Sequence, residues 1–355
     1  MCHDRATAQR TINPVAGGDE VMAHPSGSPF CLMKKFRLLI FAFMGAGVGA
    51  LAAGPKADLI VAADGSGDFK TVQAAVDAAP ADSAERTTIL IRKGIYAELV
   101  IVPREKKNLT LRGEDRKQTI IAATNNAVLN PRRREMFSAE ADDFRLENLT
   151  LHNLTPKGGQ QAEAIRVRAD RVVLDRCDFK SFQDTLRLDG RVYVRECRIE
   201  GDVDFIWGGG TVYLDRCGIL ALHDGYLVQS RNGAEKFGYV FADCKIDTAP
   251  GLKRFVLARI DPARFPHSHV VFLHCAMGPF VTPAGWVFDG PGAAASKETT
   301  RFWEFQSTDL AGKPLDVSQR VVGSRQLTAA EAAQHCDIAF ILGGADKWNP
   351  LSPAK

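Results

Sequence analysis

Val172-Val173-Leu174-Asp175-Arg176-Cys177-Asp178-Phe179 returns twenty residues later as Val192-Tyr193-Val194-Arg195-Glu196-Cys197-Arg198-Ile199, and twenty after that as Val212-Tyr213-Leu214-Asp215-Arg216-Cys217-Gly218-Ile219. Two further copies end the series, Tyr239-Val240-Phe241-Ala242-Asp243-Cys244-Lys245-Ile246 and Val270-Val271-Phe272-Leu273-His274-Cys275-Ala276-Met277, at cysteine intervals of 27 and 31. Each copy is a β-branched or aromatic run, a polar pair, Cys, one variable residue and an apolar residue. A strand-bearing repeat of this period is the signature of a solenoid. Residues 100–290 carry no sustained helical period, and their apolar runs are short and punctuated by turns. The expected fold is all-β, a right-handed parallel β-helix. One position per coil is expected to point inward and stack on its counterpart. Cys, and Asn in the related frames at Asn108 and Asn148, are assigned to that position. The cysteines then form a buried ladder of small groups, although a Cys177–Cys197 or Cys197–Cys217 bridge is also compatible with the spacing. None of the eight cysteines forms a C-x-x-C pair, which leaves zinc and thioredoxin-type sites unsupported.

A solenoid needs its ends covered. Thr71-Val72-Gln73-Ala74-Ala75-Val76-Asp77-Ala78-Ala79-Pro80 has helical spacing and stops at Pro80, so it is read as the N-terminal cap. Thr328-Ala329-Ala330-Glu331 opens a short C-terminal helix with Thr328 as N-cap and Glu331 three residues on. Upstream, Met33-Lys34-Lys35-Phe36-Arg37 is a basic start, Leu38 to Leu51 is apolar and small-residue-rich, and Ala50-Leu51-Ala52 has the form of a cleavage site. Residues 33–52 are therefore read as a signal peptide, 1–32 as disordered or as an over-extended start, and 53–355 as one domain. Export implies a secreted or periplasmic protein with no membrane attachment after cleavage. Net charge is +3, and +1 once residues 1–52 are removed. No global field recruits nucleic acid, and an acidic substrate must be held by local basic residues. Three Asn-Leu-Thr sequons begin at Asn108, Asn148 and Asn153; the first two fall in predicted strands and are discounted as glycosylation sites.

The twenty-residue register has a chemical consequence. Asp184, in Gln183-Asp184-Thr185-Leu186, and Asp204, in Gly201-Asp202-Val203-Asp204-Phe205-Ile206-Trp207-Gly208, become neighbours on adjacent coils. Gln161, in Gln160-Gln161-Ala162-Glu163-Ala164-Ile165, falls one coil below Gln183. Two close carboxylates repel, so one retains a proton, which supplies an acid beside a nucleophile. The two amides can donate to a developing oxyanion. The competing reading is that these residues close turns and cap strands. No G-x-S-x-G, H-E-x-x-H or P-loop pattern is present.

These blocks, together with Ala63-Asp64-Gly65-Ser66-Gly67-Asp68-Phe69-Lys70-Thr71-Val72-Gln73-Ala74-Ala75, Gly94-Ile95-Tyr96-Ala97-Glu98, Val281-Thr282-Pro283-Ala284-Gly285-Trp286 and Trp348-Asn349-Pro350, resemble the pectin methylesterase (pectinesterase) family from about Asp58 to Pro350. The resemblance implies a metal-free, cofactor-free esterase, a monomer acting on pectin or a related acidic polysaccharide. It implies that Asp204 attacks the C6 methyl ester of a galacturonate unit, Asp184 serves as acid and then base, Gln183 and Gln161 stabilise the oxyanion, and Arg259 orients Asp204. Departures from the family pattern fall on the sugar-binding rim. Ala258 precedes Arg259 and Ile260-Asp261-Pro262 follows it, so a Trp is missing there; Arg187 replaces a Tyr and Trp207 a Phe. Arg187 is expected to meet a free carboxylate or to be solvated, and Trp207 to stack on a sugar ring or to fill the cleft floor. The alternatives are a β-helix esterase for another ester, a β-helix lyase or glycosidase, and a non-catalytic polysaccharide-binding solenoid. The Gln-Asp…Asp…Arg set fits acyl transfer better than a glycosidase pair or a calcium-dependent lyase site.

Overall fold

In the computed structural model, which describes residues 57–290 and 299–352, successive strands stack in parallel from the N-terminal to the C-terminal end. The upstream segment 1–32 and the signal peptide 33–52 lie outside the described residues. One face is an eleven-stranded parallel sheet running from Leu59–Val61 to Ser324–Gln326, and every step in it joins one coil to the next. The other sheet, of fifteen strands, supplies two further faces. Two long strands, Arg198–Gly208 and Gly218–Ser230, bend round the corner and belong to both of these faces. The architecture is the expected parallel β-helix.

The interior is built from in-register rows. Leu111, Leu146, Leu174, Val194, Leu214, Phe241 and Phe272 align from coil to coil and are all fully buried. Each such side chain contributes about 1.5–3 kcal/mol by leaving water. The interior fills with larger rings towards the C-terminal end, where Phe241 stacks on Phe272 at 4.6 Å and Trp286 on Phe302 at 4.9 Å. Cys177, Cys197, Cys217, Cys244 and Cys275 form the expected ladder, buried and free. The Cys177 N–H donates to Cys197 Sγ at 3.3 Å, and burial raises the thiol pKa values of Cys197 and Cys244.

Asn108 and Asn148 are corrections to the ladder. The register pairs Leu174 with Leu146 and Asp175 with Glu147, so it is the fully buried Leu149, not Asn148, that matches Cys177. Asn148 matches Arg176 at the corner before the inward position, and Asn108 matches Asp143 at the opposite corner. All four have φ between +51° and +58°, left-handed corners for which Asn is well suited and other residues pay about 1–2 kcal/mol. The third sequon residue, Asn153, is buried and spends its amide on the Asn125 and Glu163 carbonyls.

Both helical segments form where expected, the first at the N-terminal end and the C-terminal pair against the side of the eleven-stranded sheet. The first helix is Val72–Ala78 with Thr71 as N-cap, and Glu98 receives the Val72 and Gln73 N–H groups at 2.7 and 2.9 Å. The C-terminal helix Ala329–Cys336 carries the Thr328–Glu331 capping box, and Ile338–Leu342 follows it. Arg191 ties this end to the solenoid, reaching Asp170, Asp346 and the Leu342 and Gly343 carbonyls.

Beneath these helices His269 is fully buried, and neither ring nitrogen has a partner. Phe237, Trp303 and His335 surround it, with the Trp303 ring edge-on at 4.9 Å. Burial, with Arg301 and His335 adding to it, drives its pKa well below 6.5. The folded state therefore holds it neutral, while the unfolded chain takes up a proton below about pH 6.5, and stability is lost as pH falls through that range. His269→Leu is expected to raise thermal stability at pH 5 by about 2 kcal/mol more than at pH 8. Equal shifts at the two pH values in thermal melts would contradict this.

Candidate active site

One outer face carries the site. Arg166, Arg187 and Trp207 are consecutive register partners, Trp207 pairs with Gln229, and Ala258, which precedes Arg259, pairs with Val228. Side chains alternate across a strand. Leu186, Ile206, Val228 and Ala258 therefore fill the core, with no exposure, while their neighbours Arg187, Trp207, Gln229 and Arg259 face out along a single line. Asp184 and Asp204 lie just ahead of this line. Their strands pair Leu186 with Ile206, an offset of twenty, and the Asp184 N–H donates to the Val203 carbonyl at 3.1 Å. The expected stacking of the two acids is present.

Both acids adopt left-handed backbone, with φ +69° at Asp184 and +48° at Asp204. Single residues in this region are costly and concentrate where a side chain must be aimed. Around Asp204 the long strand Arg198–Gly208 slips register twice against its neighbour, between Gly201 and Val203 and again before Ile206. Such irregularities re-aim side chains next to functional sites. Gly201 permits the tight bend, since a Cβ there would lie 2.3 Å from Phe205.

The two carboxylates have different environments. Asp204 is held at both oxygens by Arg259, Nε to Oδ1 at 2.9 Å and Nη2 to Oδ2 at 2.5 Å, and Gln229 Nε2 adds a donor at 3.3 Å. A bidentate guanidinium fixes an ionised carboxylate in orientation. Arg259 is itself backed by the Tyr226 ring at 4.3 Å and by Asp289 at 3.7 Å, and the Asp204 carboxylate raises its pKa. Among the described residues Asp184 has a single side-chain partner, Arg134 Nη2 at 2.8 Å, and that guanidinium is shared with Glu163 Oε1, also at 2.8 Å. Burial first, then Glu163 and more weakly Asp204, push the Asp184 carboxyl up to about 8 against the opposing pull of Arg134 and Arg231. At neutral pH the pair thus holds a protonated Asp184 beside an Arg-bound Asp204, a division suited to an acid and a nucleophile.

Gln183 and Gln161 are brought to adjacent coils. The Ala162 N–H donates to the Gln183 carbonyl at 3.2 Å, and the offset here is 21, seen in Ile165 pairing with Leu186. Both side chains are half-buried, and neither amide bonds to another described residue. They remain available as donors to an incoming oxygen.

Trp207 takes the second of its two expected positions, the cleft floor. It is 5% exposed, and its indole N–H has no partner. The guanidiniums of Arg187, Arg231 and Arg134 lie 4.3, 4.6 and 5.2 Å from its ring. Register is the cause: Arg187 is the cross-strand neighbour of Trp207 and covers the ring face by cation–π attraction. Trp207 is floor, not an open stacking platform. Arg187 is not simply solvated either, since Asp189 holds its Nε at 3.0 Å.

Sequence reasoning missed Arg134, Glu163, Gln229, Tyr226 and Arg231. Gln229 was accessible in principle, as the next register partner of Trp207 on the outward line. Arg134 gave no signal, because its contacts lie 29 and 50 residues away across a loop.

Residues 58–344 match the family model described as Pectinesterase. The chain is 33% identical over 296 residues to Pectinesterase 31 of Arabidopsis thaliana, covering 79% of this chain and 91% of that protein. It spans about half the length of the Arabidopsis relatives named pectinesterase/pectinesterase inhibitor 18 and 3, at 54% and 51%. Among solved structures it is similar to pectin methylesterase from carrot, with TM-score 0.77 and 29% identity over 85% of this chain and 98% of that one. A pectin methylesterase in complex with hexasaccharide VII gives TM-score 0.70 and 26% identity, covering 84% of this chain and all of the other.

Proposed function

The chain belongs to the pectinesterase family and is a carboxylic ester hydrolase that de-esterifies pectin; we propose that it does so through an acyl-enzyme on Asp204, with Asp184 moving the protons. The Asp204 carboxylate attacks the C6 carbonyl carbon of a methylated galacturonate unit. The carbonyl oxygen takes the negative charge and accepts hydrogen bonds from the Gln183 and Gln161 amides. As the tetrahedral species collapses, Asp184 gives its proton to the departing methoxide oxygen and methanol leaves. An anhydride now joins Asp204 to the sugar. Asp184, ionised by that transfer, takes a proton from water, whose oxygen attacks the same carbon. Collapse frees the galacturonate acid and the Asp204 carboxylate, leaving Asp184 protonated as it began. Arg259 holds Asp204 for attack, and Arg187 and Arg231 line the rim over which an acidic polysaccharide passes.

The observation that carries this reading is the pair itself. Two acids on adjacent coils are set apart electrostatically, one by Arg259 and the other by burial beside Glu163. We also read the functional protein as a monomeric domain from residue 53, secreted or periplasmic after removal of 33–52. A related ester remains the second reading, favoured by the altered rim: Arg187, the covered Trp207, and Asp261 in place of an open aromatic.

Methanol release from highly methylated pectin, without added metal, tests the reading beside acetylated pectin and small esters. Release is expected, and because Asp184 must be protonated for the first step, rate should fall as pH rises through about 8. Hydrolysis of another ester alone would keep the chemistry and change the substrate. Pectin binding without hydrolysis of any ester would indicate a non-catalytic solenoid.

A further inference from the structure

Glu163 is a third carboxylate in the site, and the mechanism has no use for it. It is fully buried, its Oε2 has no hydrogen-bond partner, and its backbone is fixed by Met136 N–H and Asn153 Nδ2 on the carbonyl at 3.0 and 2.9 Å. Its Oε1 receives Arg134 Nε at 2.8 Å, and Nη2 of the same guanidinium donates to Asp184 Oδ2 at 2.8 Å. Arg259 is committed to both oxygens of Asp204. One guanidinium is thus divided between two buried carboxylates, and two negative charges on one cation in a largely desolvated site favour retention of a proton.

We propose that Arg134 and Glu163 are positioning residues that keep one proton shared between Glu163 and Asp184, so that Asp184 meets each new substrate as an acid. This deepens the esterase reading and rests on it for the use of that proton. The groups facing the pair are few. Asp184 feels Glu163, Arg134, Asp204 and Arg231, while Glu163 feels Arg134 and Glu135. Glu135 is engaged in turn by Arg168 at 3.7 Å and by the Ser138 hydroxyl at 3.3 Å. Burial raises the Glu163 carboxyl in the same direction as Asp184. The arrangement also gives Arg134 a reason to stand near the covered Trp207 ring, which helps to shut water out on that side.

Glu163→Gln keeps the side-chain shape and removes the third negative group. The alkaline limb of methanol release should then move down by about one pH unit or more, in a protein that thermal melts show to be folded. Infrared difference titration reads the same proton without turnover: a protonated-carboxyl component present in wild type at pH 7 should lose about half its intensity or more in E163Q. Arg134→Gln should move the alkaline limb upward, and Arg134→Lys should restore part of that shift. An unmoved limb and an unchanged infrared component in E163Q would overturn the proposal and leave the esterase reading intact. A wild type that releases no methanol, yet loses the infrared component on E163Q, would overturn the esterase reading and support the shared proton.

Discussion

Asp204→Ala is expected to reduce methanol release from pectin by about 10⁴-fold or more, the size of loss seen when a covalent nucleophile is removed from machinery that otherwise persists. The amides of Gln183 and Gln161, the proton on Asp184 and the binding cleft all remain, so a small residual rate over water is compatible with the mechanism. The variant also leaves Arg259 without its bidentate partner and facing only Asp289 at 3.7 Å. Removing one member of a buried pair typically costs about 3–5 kcal/mol, so thermal melts must accompany the assay. Asp204→Asn keeps the volume and an oxygen for Arg259, and it should lose activity to a similar degree with a smaller fall in stability. A folded Asp204→Asn enzyme within tenfold of wild type would remove Asp204 from the nucleophile's role.

What made Asp204 legible was register, not the acid itself. Cysteines at twenty-residue spacing gave the coil length, and Leu186 pairing with Ile206 repeats that offset on the catalytic face. The reading works because a parallel solenoid turns equal sequence intervals into spatial neighbours. It fails wherever a coil takes a detour. The intervals of 27 and 31 between the later cysteines absorb excursions such as 231–237 and 261–268, which no period describes. Asn148 was misplaced by one residue because a corner residue and an inward residue adjoin in sequence, and only pairing separates them. Arg134 was invisible for a different reason: it reaches the site from a loop flanking a strand three coils away from Asp204 on the catalytic face. Trp207 was legible as a cleft residue but not as a covered one. Its cover depends on which way three arginine side chains lie, and composition does not encode that.

Arg259→Ala should be the second most damaging change, lowering turnover by about 10²–10³-fold. The wild-type Asp204 carboxylate is 6% exposed and draws its two short donors from this one side chain. With the guanidinium gone, only the Gln229 amide at 3.3 Å remains, and Asp184 and Asp289 supply no compensation. The alkaline limb from Asp184 should persist, since the groups that set it are untouched. Orientation is lost as well, because a left-handed backbone at φ +48° aims the side chain but does not fix its torsions. Arg259→Lys separates the two contributions. It restores a positive charge without the planar fork, so turnover should recover only in part. If Lys restored turnover fully, charge alone would suffice and the bidentate geometry would have no catalytic role. If Arg259→Ala left turnover unchanged, the Arg259–Asp204 contact would be structural, and the nucleophile would have to be held by Gln229 alone.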